Sequence, residues 1–148
     1  MTRLFTGALL GACLIGLFSA TAETAPTKSL FVLTASRGDT ENGVLKLNLL
    51  HPEIIYFSDR PERVGGKMSA KEFFKSWTER TDSFADDPPN ASLSLAGDDG
   101  NPCIMELMSG RLSGQTATFQ YKVLAGQPPA SFGRAFLFID GKVIGINL

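Results

Sequence analysis

The stretch ASLSLAGDDGNPCIMEL, residues 91–107, decides the fold class of this chain. Its first five residues alternate apolar side chains with serine, and its last five place apolar side chains at every second position from Cys103 onward. A period of two is typical of a strand with one buried face, and the Gly, Asp and Asn residues between the two halves favour a tight turn. The sequence therefore predicts a β-hairpin here.

Similar strand patterns occur on both sides of this hairpin. Apolar residues alternate with polar ones over residues 45–49 and 117–123, and short apolar runs cover residues 30–34 and 54–57. Each run is bounded by turn-forming residues and predicts a further strand. Residues 36–43 are rich in Gly, Asp and Asn, so the sequence predicts a turn there.

The C-terminal segment carries a turn signal of its own. Asp140-Gly141 is a dipeptide that two-residue type I′ turns favour, because both central residues of such a turn need a positive φ. The apolar run over residues 135–139 and the segment 142–146, which contains Val143, Ile144 and Ile146, flank this dipeptide. We therefore predict a final hairpin from these two segments.

One segment, after a pair of glycines, has helical periodicity instead. Ser69 and Glu72 match a capping box, which marks a helix N-terminus. Apolar and aromatic residues then recur at intervals of three and four, which predicts one amphipathic helix over residues 70–80. Its Phe/Trp face is expected to pack on the sheet, with an aromatic ligand platform as the alternative. About eight short strands and one helix indicate a mainly β fold, an antiparallel β-sandwich or barrel-like domain with one short α-helix inserted.

The first 22 residues have the features of a cleavable export signal. Arg3 is positively charged, residues 4–18 are apolar and uncharged, and small residues follow up to Ala22, so cleavage is expected before Glu23. An apolar run of this length is shorter than the roughly 20 residues that span a bilayer, and no second such run follows, so we expect no transmembrane segment in the mature chain. The mature protein is expected in the periplasm or outside the cell. A lipoprotein anchored at Cys13 is the alternative, because the residues before this cysteine resemble a lipobox.

Residues 23–148 are expected to form a single β-rich domain, since their number suits one hydrophobic core. The full chain has 14 Lys plus Arg against 15 Asp plus Glu, a balance that gives no electrostatic reason to expect nucleic-acid binding. His51 and Cys103 are the one histidine and the one cysteine of the expected mature chain, too few for a His/Cys zinc site. No nucleotide-binding loop or nucleophile elbow occurs. We therefore expect no metal and no cofactor.

Two polar segments flank the predicted helix. The first is YFSDRPER, residues 56–63, and the second is FADDPPNA, residues 84–91. In this order, with a tryptophan-containing helix between them, they resemble the segments of an uncharacterised family of small exported, mainly bacterial proteins. The resemblance covers residues 49–95, about half of the mature chain. It implies a single exported domain and carries no activity, ligand or catalytic residue.

The charged residues of these two segments allow a structural and a functional interpretation. In the structural one, the two arginines pair with the two aspartates of the second segment and tie the loops on either side of the helix together. In the functional one, the same groups line a cleft beside the helix and bind a small polar ligand or a protein partner. The candidate binding residues are Asp59, Arg60, Arg63, Asp86, Asp87 and Asn90.

The absence of a catalytic motif favours an exported binding or interaction module, and we assign no catalytic residue. A small hydrolase or lyase is the alternative, in which Asp59 and either Asp86 or Asp87 act as acid and base. An envelope-structural or inhibitor protein is a third class that the sequence allows.

The export signal makes a prediction about the mature protein. The intact mass of the protein recovered from the exported fraction should correspond to a chain that begins at Glu23, because the small residues before it fit the signal-peptidase site. Mass spectrometry of the purified protein checks this. A lipid-modified chain that begins at Cys13 would contradict it.

Overall fold

The computed structural model describes residues 27–58, 63–78 and 83–143. Within these ranges, nine strands form one antiparallel sheet, and one short helix lies between the fourth and fifth strands. The helix is α1 (Ala70–Phe74), and a 3-10 turn over Lys75–Trp77 extends it. In chain order, the strands are β1 (Thr27–Glu41), β2 (Val44–Leu49), β3 (Glu53–Ser58), β4 (Gly65–Ser69), β5 (Asn90–Leu95), β6 (Cys103–Ser113), β7 (Thr116–Ala125), β8 (Ser131–Phe132) and β9 (Ala135–Val143).

The sheet closes on itself through the long strand β1. The first half of β1 pairs with β9 and its second half pairs with β2, with a register shift between Ala35 and Arg37. The pairings β2–β7, β7–β6, β6–β5 and β5–β9 complete a closed circuit of strands. Strands β3 and β4 extend the sheet from the free edge of the first half of β1. The predicted mainly β fold with one inserted helix is confirmed, and its form is a barrel with a two-strand extension.

The inner face of the barrel is apolar, as the period-two patterns predict. In β2, Leu45, Leu47 and Leu49 are buried, while the residues between them are more exposed. In β5, Ala91 and Leu93 are buried between more exposed neighbours. The hairpin predicted from residues 91–107 is confirmed, since β5 and β6 pair antiparallel.

The helix begins as its sequence predicts. The Ser69 hydroxyl oxygen accepts a hydrogen bond from the Glu72 backbone N–H at 3.1 Å, which is the serine half of a capping box. The predicted apolar face is buried, and Phe73 at its centre has no exposed surface. The helix therefore packs on the sheet, as predicted for its Phe/Trp face.

Four aromatic side chains from α1 and the chain that follows it form a cluster against the barrel. These are Phe73, Phe74, Trp77 and Phe84, which we call the aromatic cluster. The Phe73 ring centroid lies 4.9 Å from that of Phe31 on β1, and the Trp77 centroid lies 4.8 Å from that of Phe84 in an edge-to-face arrangement. Such pairs add about 0.5 to 1.5 kcal/mol each beyond the burial of their area. The cluster thus joins the helix to the inner face of the sheet.

The helix is shorter than the predicted range of 70–80. Thr78 leaves the helical conformation, with φ −124°, and the Phe84 backbone N–H donates to the Ser76 carbonyl oxygen at 2.9 Å. This bond returns the chain to the helix and brings the Phe84 ring against Trp77. Residues 79 and 80 of the prediction lie outside the described residues.

The turn predicted over residues 36–43 is wrong in extent, because β1 continues to Glu41. The turn is made by Asn42 and Gly43 alone, with φ 50° and 75°. Asn-Gly is the dipeptide that two-residue type I′ turns prefer, so no longer loop is needed. The polar residues from 36 to 41 instead belong to a strand that pairs with β2.

The predicted C-terminal hairpin is wrong. Residues 135–143 form one continuous strand, in which Asp140 pairs with Leu30 and Gly141 pairs with Ser29. Gly141 does not have a positive φ, so it makes no turn. Its lack of a side chain serves packing instead, because a Cβ at this position would lie 2.6 Å from the Phe84 ring. Residues 144–146 of the predicted hairpin lie outside the described residues.

Strand β4 has no counterpart in the sequence-based prediction, which placed no strand at Gly65-Gly66. Pairing with β3 overrides the low strand propensity of glycine. Gly66 also leaves room for the ring of Tyr56, because a Cβ at this position would lie 2.9 Å from the Tyr56 hydroxyl oxygen.

The packing role of Gly141 can be tested with a matched pair of variants. Gly141→Ala should lower the free energy of unfolding by about 1 to 3 kcal/mol, because the added methyl group overpacks against Phe84. Gly133→Ala should change it by no more than about 1 kcal/mol, because no atom lies within 4 Å of the added Cβ and the φ is not positive. Urea unfolding measures both values. Equal effects at the two glycines would contradict the packing role.

Candidate functional site

Residues 83–87 form a compact turn after the helix. The backbone N–H groups of Asp86 and Asp87 both donate to the Ser83 carbonyl oxygen, at 3.0 and 3.1 Å. The Ser83 hydroxyl also donates to the Asp86 carboxylate at 3.0 Å. Hydroxyl and carboxylate groups bonded in this way stabilise a turn locally. The Asp86 side chain is therefore part of the turn itself.

The segment 84–90, which overlaps this turn and leads into β5, is fixed near both of its ends. Phe84 is buried in the aromatic cluster, and the Pro89 carbonyl oxygen accepts the backbone N–H of Leu107 on β6 at 2.9 Å. Pro88 and Pro89 each have a fixed φ, which limits the conformations of the backbone between these anchors. The segment is thus held rigidly against the barrel.

A cleft of about 160 Å³ lies between this segment and the adjoining ends of β1 and β9. Apolar, charged and amide side chains all line it. The cleft residues are Lys28, Phe84, Asp87, Pro88, Pro89, Asn90, Asp140 and Gly141.

The structure brings two of the predicted site residues together, Asp87 and Asn90. Asp86 is exposed and does not line the cleft. Arg63 is also exposed and lies outside it. Asp59 and Arg60 lie outside the described residues.

The proposed pairing of arginines with aspartates does not include Arg63. Among the residues that the structure describes, Arg63 forms no ion pair with Asp86 or Asp87. Its backbone has φ 48°, the left-handed region that is unfavourable for a residue with a Cβ. Arg63 therefore marks a strained loop position and does not fasten the loop to the turn at 83–87.

Two cleft residues, Lys28 and Asp140, were missed from the sequence. Asp140 was assigned to a hairpin turn, and Lys28 precedes the first predicted strand at residues 30–34. In the structure they lie on neighbouring strands, since Leu30 pairs with Asp140 and Lys28 with residue 142. Residues 135–139 form a continuous apolar run without a period of two, so the sequence held no local signal that the strand continues through Asp140.

The charges around the cleft are unequal. Asp87 and Asp140 contribute two carboxylates and Lys28 contributes one ammonium group. Within the described ranges, neither Lys28 nor Asp140 forms an ion pair. Both side chains are exposed at the cleft, so they remain available to a ligand.

The alternative of carboxylate catalysis gains no support from these positions. A carboxyl group that acts as a general acid near neutral pH is usually desolvated. Asp86 and Asp87 are both exposed, and only Asp87 reaches the cleft. In the part of the chain that the structure describes, no group of three or more His, Cys, Asp or Glu residues is placed to hold a metal ion.

Other depressions lie away from this cleft, and two of them are formed by described residues. A groove of about 390 Å³ separates α1 from β6 and includes Phe74, Leu112 and Lys71. A smaller one of about 100 Å³ lies beside Cys103. Burial raises the pKa of the Cys103 thiol, which keeps it protonated and weakly nucleophilic. This favours a packing role for the cysteine.

Comparison with known proteins finds no matching family model, no matching curated protein and no matching solved structure. Among the described residues, no helix has the length and apolar character needed to cross a membrane. The geometry of the cleft therefore carries the functional argument.

The role of Arg63 can be tested by two substitutions at this one position. Arg63→Gly should raise the free energy of unfolding by up to about 1 kcal/mol. Glycine relieves the cost of the left-handed backbone, and this gain exceeds the entropy that glycine adds to the unfolded chain. Arg63→Ala should change it by less than about 0.5 kcal/mol, since no buried partner is lost. Urea unfolding gives both values. A loss of about 3 kcal/mol or more in both variants would restore the ion-pair interpretation.

Proposed function

We propose that this protein is an exported binding module whose cleft holds a small ligand with a cationic amine. The observation that carries the proposal is the exposed Asp140 carboxylate, which lines the cleft together with the Asn90 amide. Carboxylates form charge-assisted hydrogen bonds with ammonium groups, about twice as strong as neutral ones. Export rests on the signal-like sequence of residues 1–22.

The ligand class follows from the size and charge of the cleft. Drug-sized ligands occupy pockets of roughly 300 to 1,000 Å³, so a cleft of about 160 Å³ suits a smaller molecule or part of one. The Asp140 carboxylate favours an ammonium group on the ligand, and the Lys28 ammonium group favours a carboxylate. An amino acid with a second amine, such as lysine, has two ammonium groups and one carboxylate. Its carboxylate would pair with Lys28.

The rigidity of the cleft supports binding as its role. Lys28, Asn90 and Asp140 are carried by strands of the sheet, and Asp87 lies beside the proline pair. Side chains on such elements are positioned before a ligand arrives, which reduces the entropy cost of binding. Phe84, which lines the cleft, supplies an apolar contact for the ligand's methylene groups.

The proposal predicts saturable binding of L-lysine. In a titration of the mature protein followed by amide NMR shifts, L-lysine should shift resonances of residues 84–90 and 140–141. Asp140→Asn should weaken the affinity about tenfold or more, because a hydrogen bond to a charged group contributes about 1.5 to 3 kcal/mol. Asp39→Asn is the matched control, since Asp39 is an exposed aspartate on β1 outside the cleft.

The anionic probe L-glutamate should give no saturable shifts at the same residues. Equal binding of L-lysine and L-glutamate, or unchanged affinity in Asp140→Asn, would contradict the proposed site. An absence of saturable L-lysine shifts in the unsubstituted protein would contradict the amine ligand itself.

A further inference from the structure

The groove between α1 and β6 is large enough for a small molecule. Its volume is about 390 Å³, within the roughly 300 to 1,000 Å³ of typical ligand pockets. We call it the basic groove, and its lining residues include Lys71, Phe74, Thr78, Arg111, Leu112 and Gly114. It shares no lining residue with the cleft of the proposed function, so a ligand here would be bound independently of that cleft.

Both walls of the basic groove are held in place by contacts elsewhere. On the helix side, Phe74 is buried, and its ring centroid lies 5.4 Å from that of Phe119 on β7. On the other side, the Gln115 carbonyl oxygen in the turn after β6 accepts the Leu49 backbone N–H at 2.8 Å. Gly114 in the same turn leaves the space open, since a Cβ there would meet no atom within 4 Å. The groove is therefore formed before a ligand arrives, which lowers the entropy cost of binding.

The charged side chains that line the basic groove have one sign. Lys71 on α1 and Arg111 on β6 are both exposed, and no carboxylate belongs to the described residues that line the groove. Within the described ranges, neither Lys71 nor Arg111 forms an ion pair. The Glu72 carboxylate, next along the helix, lies 3.2 Å from the Lys75 Nζ and does not line the groove. The groove thus presents an ammonium and a guanidinium group to a ligand.

This positive charge is local to the groove. The full chain has 14 Lys plus Arg against 15 Asp plus Glu, so it has no general excess of basic residues. The cleft of the proposed function includes carboxylates as well as one ammonium group. The depression beside Cys103 includes Asp98 and, among its described lining residues, no cation. The charges of the basic groove therefore favour an anionic ligand at this place in particular.

The basic groove also offers apolar contacts. Phe74 and Leu112 line it, and Leu112 packs against the core while remaining half-buried. An inorganic anion would leave these side chains uncovered, whereas an aliphatic chain would cover them. Each methylene group removed from water strengthens binding about fourfold. The lining thus favours an anion that carries an apolar body.

We infer that the basic groove binds a small organic anion with an aliphatic body, of the class of medium-chain carboxylates. The Arg111 guanidinium can donate two parallel hydrogen bonds to a carboxylate, and the Lys71 ammonium group can donate a further one. The aliphatic chain lies along Phe74 and Leu112. This inference does not rest on the amine ligand of the cleft, because different residues bind the two ligands.

A titration of the mature protein with octanoate, followed by amide NMR shifts, tests the inference. Saturable shifts should appear at residues 71–78 and 110–114, and not at residues 84–90 and 140–141, where L-lysine is expected. Octylammonium has the same chain with the opposite charge, and acetate has the carboxylate without the chain. Each should bind at least tenfold more weakly than octanoate.

These two probes separate the terms of the inference. Equal binding of octanoate and octylammonium would show an apolar surface without charge selection. Equal binding of octanoate and acetate would show an ion site without an apolar contact. Either result would overturn the inference, as would an absence of saturable octanoate shifts at residues 71–78 and 110–114.

A pair of double variants tests the two cations. Lys71→Gln/Arg111→Gln should weaken octanoate binding at least tenfold, because both charge-assisted donors are lost. Arg37→Gln/Lys46→Gln is the matched control, since it removes the same two charges from exposed positions on β1 and β2 outside the groove. It should change the affinity less than twofold. Equal losses in the two double variants, or unchanged affinity in Lys71→Gln/Arg111→Gln, would overturn the inference.

Discussion

The packing of the aromatic cluster against the inner face of the barrel is the constraint on which the rest of the structure depends. It requires two close approaches that only glycine allows. A Cβ at Gly110 on β6 would lie 2.8 Å from the Trp77 ring, and a Cβ at Gly141 on β9 would lie 2.6 Å from the Phe84 ring. In the part of the chain that the structure describes, the buried Trp77 Nε1 has no hydrogen-bond partner. Shape and burial therefore hold this ring, without a polar contact.

The candidate site depends on the same packing. Phe84 is the last ring of the aromatic cluster and the first residue of the segment that lines the cleft. Its burial fixes where the chain leaves the helix, and the bond from Leu107 to Pro89 fixes where it joins β5. Asp87 and Asn90 are thereby held beside Asp140, which is placed by the continuous pairing of β9 with β1. A change that loosened Phe84 would move one wall of the cleft and leave the other in place.

Local patterns predicted the elements whose formation depends on their own residues. Strands β2, β5 and β6 were predicted from the period of two in their own sequences. The helix start was predicted from Ser69, whose capping hydrogen bond lies within one turn. The errors arose where distant contacts decide the backbone. Gly141 was assigned to a turn because Asp-Gly favours one, and no strand was predicted at Gly66, yet each glycine makes room for an aromatic ring from elsewhere in the chain. The register that brings Lys28 and Asp140 to one cleft cannot be derived from either segment alone.

The central claim is that the aromatic cluster supplies a large part of the stability of the barrel. Its most direct test is the unfolding free energy of Phe73→Ala, measured by urea with Trp77, the one tryptophan of the chain, as the fluorescent probe. The matched control is Phe57→Ala, because the Phe57 side chain is 48% exposed, whereas the Phe73 side chain is 0% exposed. We expect a loss of about 3 to 5 kcal/mol for Phe73→Ala and less than about 1 kcal/mol for Phe57→Ala. Equal small losses in both variants would contradict the account.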